Sequence, residues 1–337
     1  MHLADFDYEL PADRIAQTPA DPRDSARLLV DRGSEPAAHH HVWDLASFLR
    51  AGDLLVVNDT RVIPARLHLR RQSGGSVEVL LLESEGDDDS LWTALVRPGG
   101  KLKPGEDLHH ERLGHVATFV GRHSDGDTFV VRLRHDGNVV DLLDRIGEMP
   151  LPPYITERLA ERERYQTVYS RRPASAAAPT AGLHLTDTLL DGLDALGVGL
   201  AKVELVVGLD TFQPVQVDNP LEHRMHTEFY DVPADTLDRV REARRVVAVG
   251  TTAVRAVESA LTRGERSGRT NLFIHRGYEW KAVDALLTNF HLPRTTLLMM
   301  IDAFVGSRWR RLYAEALENR YRFLSFGDAM LLDRHLI

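Results

Sequence analysis

Three textures of apolar and polar positions run along the chain. Within residues 1–60 a polar opening leads to "DLLVVND" (53–59), an apolar run bounded by turn signals, which predicts a strand. From about 61 to 150 short β segments follow one another: "RLHLRR", "SVEVLLLE", "LWTALVR", "HVATFVGR" and "TFVVRLR". Turn material such as "QSGG", "EGDDDS", "RPGGKLKPGE" and "HSDGD" separates them, the pattern of a small antiparallel barrel or sandwich. After "GEMPLPPYI" (147–155) the texture becomes α/β. "AKVELVVG" (201–208) and "RVVAVG" (245–250) read as strands covered on both faces. "TTAVRAVESALTRG" (251–264) reads as a helix, with Val254, Val257, Ala260 and Leu261 on one face and Gly264 as its stop. "RTTLLMMIDAFVG" and "WRRLYAEALENR" predict further helices. The expected architecture is an α/β layered domain with a mostly buried sheet, formed by residues 1–60 and 152–337. A small antiparallel β-barrel domain, residues 61–151, is inserted into it.

Composition narrows the chemistry. The chain has 337 residues, 43% of them hydrophobic and 27% charged, which is ordinary for a globular protein. It has no cysteine, so disulfides, thiolate metal sites and cysteine nucleophiles are excluded. The opening "MHLADFDYELP" lacks the basic and apolar regions of a signal peptide, and no apolar run approaches a bilayer span, so a cytoplasmic protein is expected. A net charge of −9 argues against a general nucleic-acid binder, yet local charge differs. Nearly all the basic residues are arginines, whose planar fork suits phosphate and carboxylate, and they cluster at 162–172, 241–245 and 308–311. Solvated helix faces explain any one cluster as well.

"AAAPTAGLHLT" (176–186) holds one titratable side chain, His184, behind a run of small residues. Thr186 suits an N-cap and Asp187 the first turn of the helix "DTLLDGLDALG". The imidazole then sits before a helix N-terminus, where partial positive charge favours its neutral form. Pro179, Ala181 and Gly182 leave the backbone open to a close approach. A ligand loop with a neutral histidine and a histidine that only fixes a turn are both consistent with the stretch.

Other stretches carry polar side chains at element ends. "VVNDTRVIPARL" (56–67) ends a strand on Asn58, Asp59, Thr60 and Arg61, where open α/β sheets bind ligands. "AVGTTAVRAVE" joins a strand to a helix through Gly250, Thr251 and Thr252, without the spacing of a dinucleotide fold or the lysine of a P-loop. "TNFHLPRTTLLM" (288–299) places Asn289, His291 and Arg294 ahead of an apolar helix. "HRMHTEFY" (223–230) groups His223, His226 and Glu228, though not at the spacing of a helical zinc motif.

Taken in order, these stretches resemble the S-adenosylmethionine:tRNA ribosyltransferase-isomerase family of queuosine synthesis. The resemblance runs nearly end to end, through "FDYELP", "RIAQTPADPRDSARLLV", "GDLLVVNDTRVIPARL", "LVRPGGKLKPGE", "GEMPLPPYI", "RERYQTVYS", "AAPTAGLHLT", "VGLDTFQPV", "HRMHTEFY", "VVAVGTTAVRAVES", "LLTNFHLPRTTLLMMIDAF" and "YRFLSFGDAML". Leu185 stands where the pattern has phenylalanine, Asp210 where it has glycine, and "RRPASAA" replaces a lead-in richer in glycine and valine.

The resemblance implies an α/β domain with an inserted β-barrel, and a transferase and isomerase that uses S-adenosylmethionine as ribosyl donor, with no metal. The ribosyl group would pass to 7-aminomethyl-7-deazaguanine at the tRNA wobble position and rearrange to give epoxyqueuosine, with adenine and methionine released. The sulfonium acidifies the adjacent 5′-carbon and the attacking amine must be neutral, so acid–base groups poised near neutrality are expected. His184 is the first candidate, with Asp59 and Glu228 as further catalytic groups. Asn58, Arg61, Thr180, Gly182, Thr251, Thr252, Asn289 and His291 are expected at the substrates. Arg162, Arg164 and Tyr165 offer charge and a stacking face to tRNA. A monomer is expected. Two rival readings remain: a metal-dependent hydrolase built on His223, His226 and Glu228, and a non-catalytic RNA-binding adaptor whose barrel is the binding module.

Overall fold

Nine strands form one sheet in the computed structural model, which is described for all residues except 34–35, 87–88, 125, 127, 208–214, 216, 224, 226 and 335–337. In chain order the strands are β1 (Arg27–Asp31), β2 (Ala38–His41), β3 (Asp53–Asn58), β4 (Thr60–Val62), β5 (Arg66–Arg71), β6 (Ser76–Ser84), β7 (Leu91–Arg97), β8 (Glu106–His110) and β9 (Gly114–Arg122). They continue with β10 (Phe129–Leu133), β11 (Gly147–Glu148), β12 (Arg172–Ser175), β13 (Gly199–Leu205), β14 (Glu228–Asp231), β15 (Arg245–Val249), β16 (Ser267–Thr270), β17 (Ala285–Asn289) and β18 (Ala329–Asp333). The helices are α1 (Val139–Ile146), α2 (Asp187–Ala195), α3 (Ala234–Glu242), α4 (Thr251–Arg263), α5 (Thr296–Val305) and α6 (Arg308–Glu318).

The chain divides into two compact units. One comprises Met1–Thr60, Pro152–Arg171 and Pro179–Ile337; the other comprises Arg61–Leu151 and Arg172–Ala178. A boundary at 152 puts residues 172–178 in the α/β part, but they belong to the smaller unit. There β12 pairs with β4, and the Ile63 N–H donates to the Ser175 carbonyl at 3.1 Å.

In the larger unit the sheet order is β16-β14-β13-β3-β15-β17-β18-β1-β2. The central strands β13, β3, β15 and β17 are parallel neighbours, and β18 runs antiparallel to β17. All six residues of β3 and all five of β17 are buried, as continuous aliphatic runs require of strands covered on both faces. On one face Leu55, Val57, Val247, Val249 and Leu287 pack with Leu45, Leu185, Leu189 and Leu193 in a single core cluster. Alternate residues turn to the other face, and α4 packs on β13 and β15. Helix α4 follows the amphipathic pattern only in part. Leu261 is half-exposed, while every residue from Thr251 to Ala260 is buried, including Arg255 and Glu258. Gly264 ends the helix at φ 70°, a left-handed conformation open to glycine at little cost. Thr186 caps α2 by accepting from the Leu189 N–H at 3.2 Å.

In the smaller unit β5, β6, β7, β10, β9 and β8 form a closed antiparallel barrel. Closure is made by β5 against β8, with Arg70 opposite His109 and Arg71 opposite Leu108, and β11 adds to the free side of β5. Leu67, Leu69, Val77, Val79, Ala94 and Val96 alternate inward and are buried, the period of two that a small filled barrel needs. An α/β layered domain with a small antiparallel barrel is therefore the observed fold.

Candidate active site

Strand order places a crevice in the larger unit. The chain visits β3, then β13 on one side, then β15 and β17 on the other. The connections therefore diverge between β3 and β15, and ligands of open α/β sheets bind outside the carboxyl ends of strands at such a point. Asn58 and Asp59 stand at the end of β3, Gly250 and Thr251 follow β15, and Asn289 ends β17. Gly250 holds φ 85°, which a side chain would strain, and α4 starts there without a side-chain cap.

The small-residue run folds into a 3-10 turn, Thr180–His184, set against these ends. The Thr180 hydroxyl donates to the Asn289 Oδ1 at 3.0 Å, and the Asn289 amide lies 3.0 Å from the His184 Nε2. With its oxygen held by Thr180, Asn289 presents its NH2 to His184. Nε2 is thereby an acceptor, and the ring proton sits on Nδ1. His184 is 5% exposed. Burial first, then the positive charges of Arg322 and Arg23, push its pKa down to about 4, while a hydrogen bond with the Arg23 backbone acts in the opposite direction. Burial and arginine charge, rather than the helix terminus, hold the imidazole neutral at pH 7, well below the near-neutral range expected of a general acid–base group.

Gly182 corrects the reading of the run as a backbone left open for a ligand. A Cβ there would lie 2.0 Å from the Tyr169 hydroxyl and 3.0 Å from the Thr167 Cγ2, and a Cβ on Gly250 would lie 3.5 Å from that of Ala181. The missing side chains let the turn close on its own protein. The hydroxyls of Tyr169, Thr167 and Thr252 are buried here without a hydrogen-bond partner among the described residues. Leu185 joins the core below, fully buried, where its apolar character serves. Asp210 and His226 lie outside the described residues.

The other expected residues divide into those at the crevice and those tied elsewhere. Asp59 is 5% exposed and accepts from the exposed Arg171 Nε at 2.7 Å. Asn58 uses its amide on the chain itself, donating to the Leu205 carbonyl at 2.9 Å and accepting from the Thr60 N–H at 3.2 Å, so it shapes the strand end. His291 also turns inward. Its Nε2 meets the Thr288 hydroxyl at 3.1 Å, its backbone N–H donates to the Tyr313 hydroxyl at 3.0 Å, and burial pushes its pKa down to about 3. Glu228, expected as a catalytic carboxylate, is paired with Arg255 of α4, and both side chains are buried. Arg61 belongs to the smaller unit.

The turn Arg162–Tyr165 needs one correction. Tyr165 is fully buried and packs edge-on against Phe326, centroids 5.9 Å apart, so its ring offers no face to a base. Arg162 is exposed, and Arg164 donates to the Ala20 carbonyl and lies 3.5 Å from Asp21. The sequence reading did not single out Arg23, Tyr169, Arg171 or Arg322. Each sits in a quoted stretch or beside one, but nothing in local spacing marks it. Among the described residues no three His, Asp or Glu side chains are grouped to hold a metal ion.

A family model described as queuosine biosynthesis protein matches residues 3–332. The chain belongs to that family, the S-adenosylmethionine:tRNA ribosyltransferase-isomerases. It is 50% identical to the S-adenosylmethionine:tRNA ribosyltransferase-isomerase of Symbiobacterium thermophilum, covering 98% of this chain and 100% of that protein. It is also 50% identical to the enzyme of that name from Rubrobacter xylanophilus, covering 98% of each. Among solved structures it resembles an S-adenosylmethionine tRNA ribosyltransferase from Thermotoga maritima, with 38% identity, a TM-score of 0.55, and coverage of 97% of this chain and 99% of that one. The family is one of transferase-isomerases in queuosine biosynthesis and tRNA modification, so this member is an enzyme. No described helix is long and apolar enough to cross a membrane.

Proposed function

We propose that this enzyme moves the ribosyl group of S-adenosylmethionine, its co-substrate, to the aminomethyl group of 7-aminomethyl-7-deazaguanine at the tRNA wobble position. The same site isomerises it to epoxyqueuosine, and adenine and methionine leave. The observation that carries this reading is the Thr180–Asn289–His184 chain, which presents a neutral imidazole where the sheet's connections diverge.

His184 is the proposed proton acceptor. Its Nε2 lone pair is held by the Asn289 amide, and a substrate proton that replaces the amide meets an unprotonated nitrogen. Asp59, paired with a single exposed arginine, is proposed to handle the incoming amine or the leaving adenine. Thr251 and Thr252 at the α4 N-terminus are proposed to bind substrate, since first-turn N–H groups and the dipole favour a negative group. Thr180 and Asn289 are proposed to contact the donor as well as His184. Asn58, Gly182 and His291 are proposed to act through backbone position. Arg162 and Arg164 are proposed to meet tRNA phosphates.

The test is adenine release from S-adenosylmethionine, with and without tRNA carrying 7-aminomethyl-7-deazaguanine at the wobble position. Release that requires this tRNA, and that drops by about 10²–10⁴-fold in a folded His184→Ala variant, is the expected result. A folded enzyme that binds the tRNA and releases no adenine would overturn the reading.

A further inference from the structure

Beside His184 lies a hollow of about 10 Å³, room for about one water-sized atom. Arg23, Arg164, Ser325 and His184 contribute its polar lining. The arginines near it have carboxylates close by but pair with them only loosely. Arg23 spends its guanidinium on neutral oxygens, the carbonyls of Gln166 at 2.7 Å, Leu183 at 3.2 Å and Glu163 at 2.7 Å. It forms no ion pair among the described residues, and the charges of Glu163 and Asp187 reach it only through space. Arg164 has a carbonyl and, at 3.5 Å, the exposed carboxylate of Asp21. Arg322, close enough to act on His184, is 3.7 Å from Asp328, whose oxygens already accept backbone N–H groups of Arg27 and Arg322. Two guanidinium groups thus line an atom-sized space beside a neutral imidazole, and the charge of a third reaches that imidazole.

We propose that this hollow is an oxyanion site, in which Arg23, Arg164 and Ser325 receive one oxygen of a phosphate or carboxylate and hold that group against His184. The inference rests on the proposed function, in which tRNA and S-adenosylmethionine share the site. Those two substrates supply the two sources of the chemistry: a phosphate beside the wobble nucleotide, or the carboxylate of the methionine part. A guanidinium fork recognises both. The consequence is chemical as well as steric. An anion placed between the arginines and the imidazole offsets their positive field, which adds to burial in holding His184 neutral. The basicity of His184 then rises when the substrate is bound.

The test compares wild type with Arg164→Gln and Arg322→Gln, whose side chains reach solvent, and with Arg23→Lys, which keeps the charge but loses the fork. Binding of substrate tRNA is measured against salt, and binding of S-adenosylmethionine is measured beside its decarboxylated analogue. A phosphate source weakens tRNA binding about 10-fold in the variants and makes the log–log salt slope shallower by about 1, with S-adenosylmethionine unaffected. A carboxylate source weakens S-adenosylmethionine about 10-fold instead, and the variants no longer distinguish it from the decarboxylated analogue. Variants with wild-type melting curves and wild-type affinity for both substrates overturn the oxyanion site alone. A wild type that binds neither substrate overturns the proposed function with it.

Discussion

Gly182 lies directly under the Tyr169 hydroxyl, so that a Cβ at 182 would come within 2.0 Å of that oxygen. Tyr169 is 7% exposed and held in the core cluster, which limits how far the ring can retreat. Gly182→Ala should cost about 1–3 kcal/mol, the usual range for overpacking. Tyr169→Phe alone should be near neutral or stabilising, because the hydroxyl it removes has no partner. In the double variant the two effects should fail to add, with part of the loss recovered. Urea unfolding midpoints measure this, and strict additivity would show that the contact does not set the turn.

The tautomer of His184 depends on a neutral amide at 289. Asn289→Asp replaces the NH2 donor with a carboxylate that can only accept at neutral pH, so Nε2 must carry a proton to bond with it. The carboxylate also favours the charged ring, and the His184 pKa should rise from about 4. Ring nitrogen chemical shifts followed against pH would report both changes. An unmoved titration would mean that Asn289 does not set the state of His184.

Much of this was legible where one period dominates. The runs in β3 and β15 announce buried strands, and Gly264 announces the end of α4, whereas β13 is buried only at alternate positions, with Lys202 and Glu204 half-exposed. Strand β8, Glu106–His110, was not legible because only Leu108 in it is fully buried and its lead-in is rich in glycine, proline and lysine. Helix α1 was passed over although Val139, Leu142, Leu143 and Ile146 carry helical spacing and are buried. It sits among strands whose period of two dominates that stretch of the sequence. The site itself joins residues 105 positions apart, His184 and Asn289, and no local pattern encodes that pairing. Within "RERYQTVYS" the spacing could not show that both tyrosines turn inward, one against Phe326 and one onto Gly182.

Two buried histidines make stability depend on pH. His184 and His291 titrate near 4 and 3 in the folded protein, against an ordinary value of 6.5. Between those values and 6.5 the unfolded chain binds protons that the folded chain refuses, so stability is lost as pH falls through that window and is fully present above it. For His184 the loss by pH 4 is of order 3 kcal/mol. Denaturant midpoints from pH 7 to pH 4 should fall, and His184→Gln should flatten the slope between 6.5 and 4. Parallel slopes in the variant and wild type would remove His184 as a source.

Glu228 and Arg255 pose the sharpest separation of stability from chemistry. Both are buried, and the pair ties strand β14 to the second turn of helix α4. Removing one partner disrupts a buried ion pair, so Arg255→Met should destabilise the fold, by up to about 3–5 kcal/mol. Glu228→Gln, which keeps the shape and a hydrogen-bonding oxygen, should cost less. Replacing both, as Glu228→Leu with Arg255→Met, should recover most of the loss, since well-packed apolar pairs often match buried ion pairs. Adenine release decides what the carboxylate is for. If Glu228 only holds α4 in place, the stable double variant retains activity within about an order of magnitude of wild type. If it moves a proton, activity stays down by 10²-fold or more while stability returns. The pairing with Arg255 predicts the first outcome, because a carboxylate fully engaged with a guanidinium is a poor base, and the double variant measures that in one protein.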